Sequence, residues 1–300
     1  MLGQRRFAKE VTLFLCVWYN GNIRCKYAQI TNRRIGMITS ASNSRVNNVI
    51  KLQKKAKERK EQNSFIVEGI KMFKEAPVEQ IKEVFISKSL YEKMSLEERL
   101  SQVSYEVVED SVFAQMSDTK TPQGVLSVLE MFHYNLDERL VDANGTWMVL
   151  EDIQDPGNLG TILRTGEGAG VEGVIMTSNT VDIYNPKTIR STMGSLYRVP
   201  FFITNNIEET VKKMGATGFS IYAAHLDGER FYDEFSYQKK TAFLIGNEGN
   251  GLKESTAKLA TTYLKIPMEG NVESLNAAVA SSILMYEAYR QRRHEKGSKK

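Results

Sequence analysis

Cysteine is nearly absent from this 300-residue chain. Its two cysteines, Cys16 and Cys25, both fall before residue 37. A disulfide framework and a cysteine-held metal site are thereby excluded from the main body, and a reducing, cytoplasmic setting fits. The three histidines, His133, His225 and His294, are scattered and form no ligand-spaced cluster, so no metal is expected. Long apolar runs are missing too. The longest candidate, residues 11–19, falls well short of the roughly 18–20 residues that a membrane helix needs, so no membrane partner is expected. What remains is ordinary for a packed globular protein, with 41% hydrophobic and 25% charged residues and only six prolines. The length suggests about two domains.

Net charge is small, at +4, but the charge is unevenly placed. Residues 45–60 hold seven basic residues against one acid, residues 290–300 six against one, and residues 1–36 seven against one. Together they carry +17, which leaves −13 for the rest. Basic segments on an acidic body point to a localised polyanion contact, whereas the plainer account is solvated helix faces and a frayed tail. Arg45, Lys54, Lys55 and Lys57 are the candidate phosphate contacts.

Residues 1–37 lack caps and periodicity. Arg5, Arg6 and Lys9 before the apolar residues 11–17 hint at a signal peptide, but no small-residue cleavage site follows. Met37 opens a start-like segment, Ile38-Thr-Ser-Ala-Ser-Asn-Ser44, so residues 1–37 read as a dispensable extension. Ser44 is a candidate cap for one basic helix over 46–60. Strands are expected over 65–68, 84–86, 105–108 and 125–129, with helices over 70–76, 96–100 and 112–116. This makes a small α/β domain over 38–131, followed by a polar linker, 132–146, containing Asn144-Gly145. From Trp147 to residue 293 strand and helix alternate. Strands are expected over 147–150, 173–176, 201–203, 219–223, 241–245 and 262–266. Helices are expected over 159–167, 186–196, 207–214 and 252–258, with a long one over 275–293. Alternation of this kind argues an α/β fold with a mostly parallel sheet covered on both faces. Residues 294–300 form a basic tail.

Three polar, glycine-bearing motifs sit at the edges of these apolar runs. They are Asn158-Leu-Gly160-Thr-Ile-Leu-Arg164, Ile245-Gly246-Asn247-Glu248-Gly249-Asn250-Gly251, and Ile266-Pro267-Met268 followed by Glu273-Ser274-Leu275-Asn276-Ala277. Loops at strand ends that converge on one ligand look like this. Asn158 can cap the helix that carries Arg164, and Glu248 is a plausible carboxylate partner for the Arg164 guanidinium. Ser274 is a cap candidate for the last helix, and Asn276 has donor and acceptor capacity for a ligand. Gly246, Gly249 and Gly251 follow a strand directly, where the chain can turn tightly against a ligand or can simply turn. Gly168-Ala-Gly170-Val-Glu-Gly173 matches a dinucleotide fingerprint as a string. It lies between helix and strand in the wrong order and reads as a helix end and turn, which disfavours a nicotinamide oxidoreductase.

The three ordered motifs resemble those of the SpoU/TrmH family of RNA ribose 2′-O-methyltransferases, members of the SPOUT superfamily, over about residues 147–293. Asn185-Pro186-Lys187 and Arg190-Ser191-Thr192-Met193-Gly194 resemble the family's intermediate segment. Residues 38–131, with Phe65-Ile-Val-Glu68-Gly69, resemble the L30e-like substrate-binding domain often fused to it. The resemblance implies a deep trefoil knot in the C-terminal domain, a homodimer packed through the last helices, and S-adenosyl-L-methionine as cofactor. It implies Arg164 as the catalytic residue, positioned with Asn158, Glu248 and Asn276. Gly246, Ile266 and Leu275, with Met268 and Ala277 nearby, would hold the cofactor. Arg164 would relay the ribose proton or clamp the adjoining phosphate. The implied substrate is structured RNA, more often ribosomal than transfer RNA. A non-catalytic RNA-binding protein that kept the fold is the rival from another class.

Overall fold

The structure is a computed structural model describing residues 14–19, 22–27, 37–237 and 240–297. The chain divides into two units between residues 37 and 38. In the first, β1 (Phe14–Tyr19) pairs antiparallel with β2 (Asn22–Tyr27), a hairpin where no element was expected. Arg5, Arg6 and Lys9 lie outside the described residues, as does the end of the basic tail.

In chain order, the next part runs β3 (Met37–Ile38), α1 (Ser44–Lys54), α2 (Ala56–Glu61), β4 (Ser64–Glu68), α3 (Ile70–Glu75) and β5 (Ile81–Ser87). It continues through α4 (Lys88–Glu92), α5 (Glu97–Leu100), β6 (Tyr105–Val108), α6 (Asp110–Met116) and β7 (Val125–Glu130). The strands form one sheet in the order β3-β6-β5-β7-β4. The single basic helix expected over 46–60 is two helices. Lys55 is extended, at φ −123° and ψ 113°, and breaks them apart. The cap is Asn43, not Ser44, and its side chain accepts from Arg45 N at 2.9 Å.

The second part runs α7 (Leu136–Asp142), β8 (Thr146–Leu150), α8 (Pro156–Gly168), β9 (Gly173–Thr177), α9 (Pro186–Thr192), β10 (Phe201–Thr204) and α10 (Ile207–Ala216). Then come β11 (Ser220–Ala224), β12 (Arg230–Phe231), β13 (Thr241–Ile245), α11 (Glu254–Ala257), β14 (Thr262–Lys265) and α12 (Ala277–Gly297). The sheet order is β10-β9-β8-β13-β11-β14-β12, and every neighbouring pair is parallel. Strands β8, β9 and β13 are buried along their whole length, so their sequences are apolar apart from one terminal threonine each. The period of two still assigns faces. Met148 and Leu150 pack with Leu159, Ile162 and Leu163 of α8 and with Leu284 and Met285 of α12. Trp147 and Val149 face the other way, toward Leu140 of α7 and Val211 and Met214 of α10. Gly170, at φ 68°, and Gly173 close α8 and open β9, as the rejected dinucleotide string required.

The expected linker is not one. Residues 132–146 contain α7, whose Leu140 is fully buried, and Phe132 and Tyr134 pack against the core. Its charged residues face out, and Leu136 and Leu140 dock it while Val141 stays exposed. The two sheets share one core, in which Phe65 and Val67 of β4 join the α8 cluster and the Phe65 ring lies 4.6 Å from that of Tyr184. Tyr197 Oη donates to Met72 O at 3.0 Å across the same seam.

Candidate active site

The site begins at the first turn of α8. Asp155 is the cap, its side chain accepting from Asn158 N at 2.8 Å, and Pro156 takes the first helical position. Asn158 is therefore not the cap that its residue type suggested. Its side chain is free to reach outward, and Nδ2 donates to Glu248 Oε1 at 2.9 Å. Glu248 also accepts from Gln154 N and Asp155 N, both at 3.0 Å. A carboxylate there meets both the unpaired amides and the positive end of the helix. Burial pushes the Glu248 carboxyl up, but the bonds from Asn158, Gln154 and Asp155 outweigh it and hold the group below its ordinary value.

This carboxylate dictates the orientation of two amides. It can only accept, so the NH2 side of Asn158 must face it. Asn158 Oδ1 is then turned to Asn276, whose Nδ2 donates at 2.9 Å. Asn276 Oδ1 in turn accepts from Ala278 N at 2.9 Å and Val279 N at 3.3 Å. Asn276, rather than Ser274, caps α12. A single polar chain thus ties the starts of α8 and α12 to the glycine-rich loop after β13.

That loop and the one after β14 wall a cavity of about 530 Å³. All five residues expected to hold the cofactor line it: Gly246, Ile266, Met268, Leu275 and Ala277. Glu248 lies on its rim. The cavity sits at the carboxyl ends of β11, β13 and β14, where ligands bind in open parallel sheets. Residues not expected from the sequence also line it, including His225 and Asp227 after β11. Their position at a strand end was the available signal. Gly246 is required by the loop itself, since a Cβ would land on the Gly251–Leu252 peptide. The close approach there is backbone to backbone.

A second acidic pair, Glu151 and Asp152, holds the loop from below and was also missed. Glu151 is buried, with Oε2 accepting from Lys253 N at 2.8 Å and Oε1 from Thr256 Oγ1 at 2.7 Å. Asp152 takes a left-handed backbone, φ 55°, and its carbonyl accepts from Asn247 Nδ2 at 2.8 Å. The hydrogen bond from Lys253 Nζ, 2.8 Å away, holds the Asp152 carboxyl below its ordinary value.

Arg164 stands apart from this relay. It lies six residues past Asn158, about 9 Å further along the helix axis, and is exposed. Among the described residues it has no hydrogen bond or ion pair, and the expected pairing with Glu248 is replaced by the Asn158 contact. Of the basic set, Arg45 is spent within its own domain. It bonds Glu83 and, at 2.7 Å, Glu106, and lies over the Phe85 ring. Lys54 and Lys55 are exposed, and Lys57 makes only a surface pair with Glu61 at 3.7 Å. Arg59 is the surprise in that segment. It is buried, binding Leu52 O and Gln53 O at the end of α1 and Asp182 Oδ2 of the second part at 2.5 Å.

The fold and site define a two-part α/β enzyme with its cavity at the carboxyl ends of a parallel sheet. Residues 145–286 match the SpoU rRNA methylase family, and residues 43–127 match the MRM3-like substrate binding domain. The chain is 34% identical over 251 residues to the 23S rRNA (guanosine(2553)-2′-O)-methyltransferase RlmP of Bacillus subtilis, covering 83% of this chain and 97% of that protein. It superposes on an rRNA methyltransferase from Sinorhizobium meliloti with a TM-score of 0.74 at 30% identity, covering 85% of this chain and 97% of that one. The same holds for that protein's AdoMet-bound form. The SpoU methyltransferase AviRb from Streptomyces viridochromogenes, in complex with AdoMet, superposes at 0.74 with 26% identity, covering 84% and 100% of the two chains. The chain belongs to the SpoU rRNA methylase family and is an RNA methyltransferase.

Proposed function

We propose that this protein transfers a methyl group from S-adenosyl-L-methionine to a ribose 2′-OH of 23S-type ribosomal RNA. The observation that carries the reading is the Glu248–Asn158–Asn276 chain at the edge of the cavity. The residues present fit the cofactor. The cavity is the size of a small-molecule site, its walls are apolar at Ile245, Leu264, Ile266 and Leu275, and its rim carries Asp227, Glu248 and Glu273. Rim carboxylates suit a ligand bearing positive charge. When bound, this cofactor supplies a methyl group already activated on a sulfonium.

The chain's own residues orient the acceptor. Glu248 is held ionised and fixes Asn158, so the polar edge of the cavity is set before substrate arrives. Arg164 is free to meet RNA. A guanidinium does not give up its proton, so Arg164 clamps a phosphate and stabilises charge developing on the ribose oxygen. The MRM3-like domain, docked on the shared core, presents the RNA, with Lys54, Lys55 and Lys57 on its outer face. The exposed Val279, Tyr286 and Tyr289 of α12 support a homodimer through the last helix. The strand order and the ordered motifs support the trefoil path that family members take, and a ribosomal RNA substrate supports a cytoplasmic location.

The test is incubation of the full chain with in-vitro-transcribed 23S rRNA and methyl-tritiated cofactor, followed by alkaline hydrolysis. Label recovered in alkali-resistant dinucleotides supports a 2′-O target. Label on a base would redirect the target, and no label on 23S rRNA with label on tRNA would redirect the substrate.

A further inference from the structure

One short turn is strained, exposed and not explained by packing. α9 ends at Thr192, and Met193 then holds a left-handed backbone at φ 52° and ψ 30°. That conformation costs a non-glycine residue about 1 kcal/mol or more. Yet Met193 is 42% exposed and belongs to none of the hydrophobic clusters. Gly194 follows at φ 99°.

The turn is pinned on both sides by contacts to the substrate-binding domain. Before it, Arg190 Nη1 lies 2.8 Å from Asp118 Oδ2. After it, Arg198 Nη1 lies 2.8 Å from Glu75 Oε2 and also bonds Glu167 of α8. The turn therefore sits at the seam between the two parts. Its relation to Arg164 follows from helix geometry, because residues 160, 164 and 167 share one face of α8. Gly160 abuts Ser191 so closely that a Cβ could not be fitted, and Glu167 reaches Arg198. Arg164, between them in the helix, faces the stretch between Ser191 and Arg198. Met193 is the exposed apolar residue of that stretch. Lys187, in the first turn of α9, and Lys120, two residues after Asp118, are exposed and make no ion pair among the described residues.

We infer that the Met193 turn is an RNA-contacting element, with the thioether side chain packing on the nucleotide beside the target while Lys187 and Lys120 take flanking phosphates. The inference rests on the methyltransferase reading above. Specific RNA recognition works on unstacked nucleotides, whose exposed faces are covered by protein side chains. A strained turn held by two cross-domain ion pairs supplies one at little further entropic cost. Its place beside Arg164 would align the neighbouring nucleotide while the target enters the cavity edge.

The experiment compares the full-length wild type with Met193→Gly, Met193→Asn and Met193→Leu on in-vitro-transcribed 23S rRNA. Glycine and asparagine accept the left-handed backbone, so neither should lower the melting temperature. Both should lower kcat/KM for RNA by at least about fivefold, the low end of one lost base contact. Cofactor Kd, measured by calorimetry, should not move. Leucine restores apolar bulk and should stay near the wild-type kcat/KM. Undiminished RNA turnover in the glycine and asparagine variants overturns the inference alone, as does a parallel loss of cofactor affinity. A wild type that methylates no RNA overturns the functional reading and this inference with it.

Discussion

Asn276 donates from Nδ2 to Asn158 Oδ1 at 2.9 Å, joining the starts of two helices 118 residues apart in sequence. Neither asparagine is interchangeable with aspartate, because Glu248 fixes which side of each amide donates. Asn158→Asp would set a second carboxylate against Glu248 Oε1 at the 2.9 Å contact. Two carboxylates at that distance cannot both ionise freely, so one is pushed up. The expected outcome is a loss of about 100-fold in kcat, the scale of one misplaced polar group at a reacting centre. The acid limb of the pH–rate profile should move to higher pH. An unchanged acid limb would show that the pair does not govern turnover.

Arg164 is exposed and makes no hydrogen bond or ion pair among the described residues. Nothing in the fold depends on its charge, so Arg164→Ala should leave the melting temperature and cofactor Kd at wild-type values. Methyl transfer should fall by roughly 100-fold or more in single-turnover assays. Arg164→Lys should fail similarly, since an ammonium cannot copy a planar two-point clamp. Near-normal turnover in either variant would remove Arg164 from the chemistry.

The sequence disclosed the elements far better than their joints. Strand β13 falls where its apolar run lies, because a strand buried along its whole length is apolar along nearly all of it. The helix break at Lys55 was invisible, since lysine is a good helix former and the cause is tertiary. Arg59 must turn inward to reach Leu52 O, Gln53 O and Asp182. Asn158 and Asp155 both suit a helix cap, and Pro156 at the first helical position marks Asp155 as the cap. The loops that wall the cavity stood out because glycine, proline and polar residues interrupt apolar runs there, whereas the individual cofactor residues followed from the family resemblance. Glu151 and Asp152 were not, because an acidic pair after a strand usually faces water, and only Lys253 and Thr256, about a hundred residues later, make it a tether.

The Arg59–Asp182 pair locks the two parts of the main unit together. Arg59 is buried, and Asp182 is 26% exposed by side chain. Asp182→Asn would leave a guanidinium with only carbonyl partners, at a cost of roughly 1–3 kcal/mol after allowing for Asp182's partial exposure. Denaturant melts should register that loss, and limited proteolysis should begin near residues 55–62. A variant as stable as wild type would mean that the apolar seam alone fixes the two parts.

Acid should remove the stabilisation that two carboxylates give the loop after β13. The Lys253 bond holds the Asp152 carboxyl below its ordinary 3.8. Glu248 lies below its ordinary 4.5 because its hydrogen bonds outweigh burial. A group depressed in the folded state binds fewer protons there than in the unfolded chain. Its stabilisation is complete above the unfolded value and is lost as pH falls through the folded one. The stabilisation these two groups give the fold, read from the melting temperature, should therefore be level above about pH 6 and decline below about pH 4.5. In Lys253→Met the Asp152 share of that decline should disappear. An identical decline in the variant would exclude the Lys253–Asp152 contact as its source.

Lys54, Lys55 and Lys57 remain of the four candidate phosphate contacts once Arg45 is seen to be spent on Glu83 and Glu106. The extended Lys55 splits the segment, so these lysines flank a bend between α1 and α2 rather than a straight helical stripe. A bend suits a curved phosphate path better than a single face does. Each phosphate contact releases counterions, so log Kd should vary with log salt by about 0.7 to 0.9 per contact. Replacing all three with Gln should weaken RNA binding at low salt and flatten that slope by about two to three units of contact, less if Lys57 stays with Glu61. Cofactor affinity should not change, because the cavity lies in the other part of the chain. An unchanged RNA affinity and salt slope would make these lysines solvated helix ends, and would move the electrostatic footprint to the seam lysines 120 and 187 or to the basic end of α12.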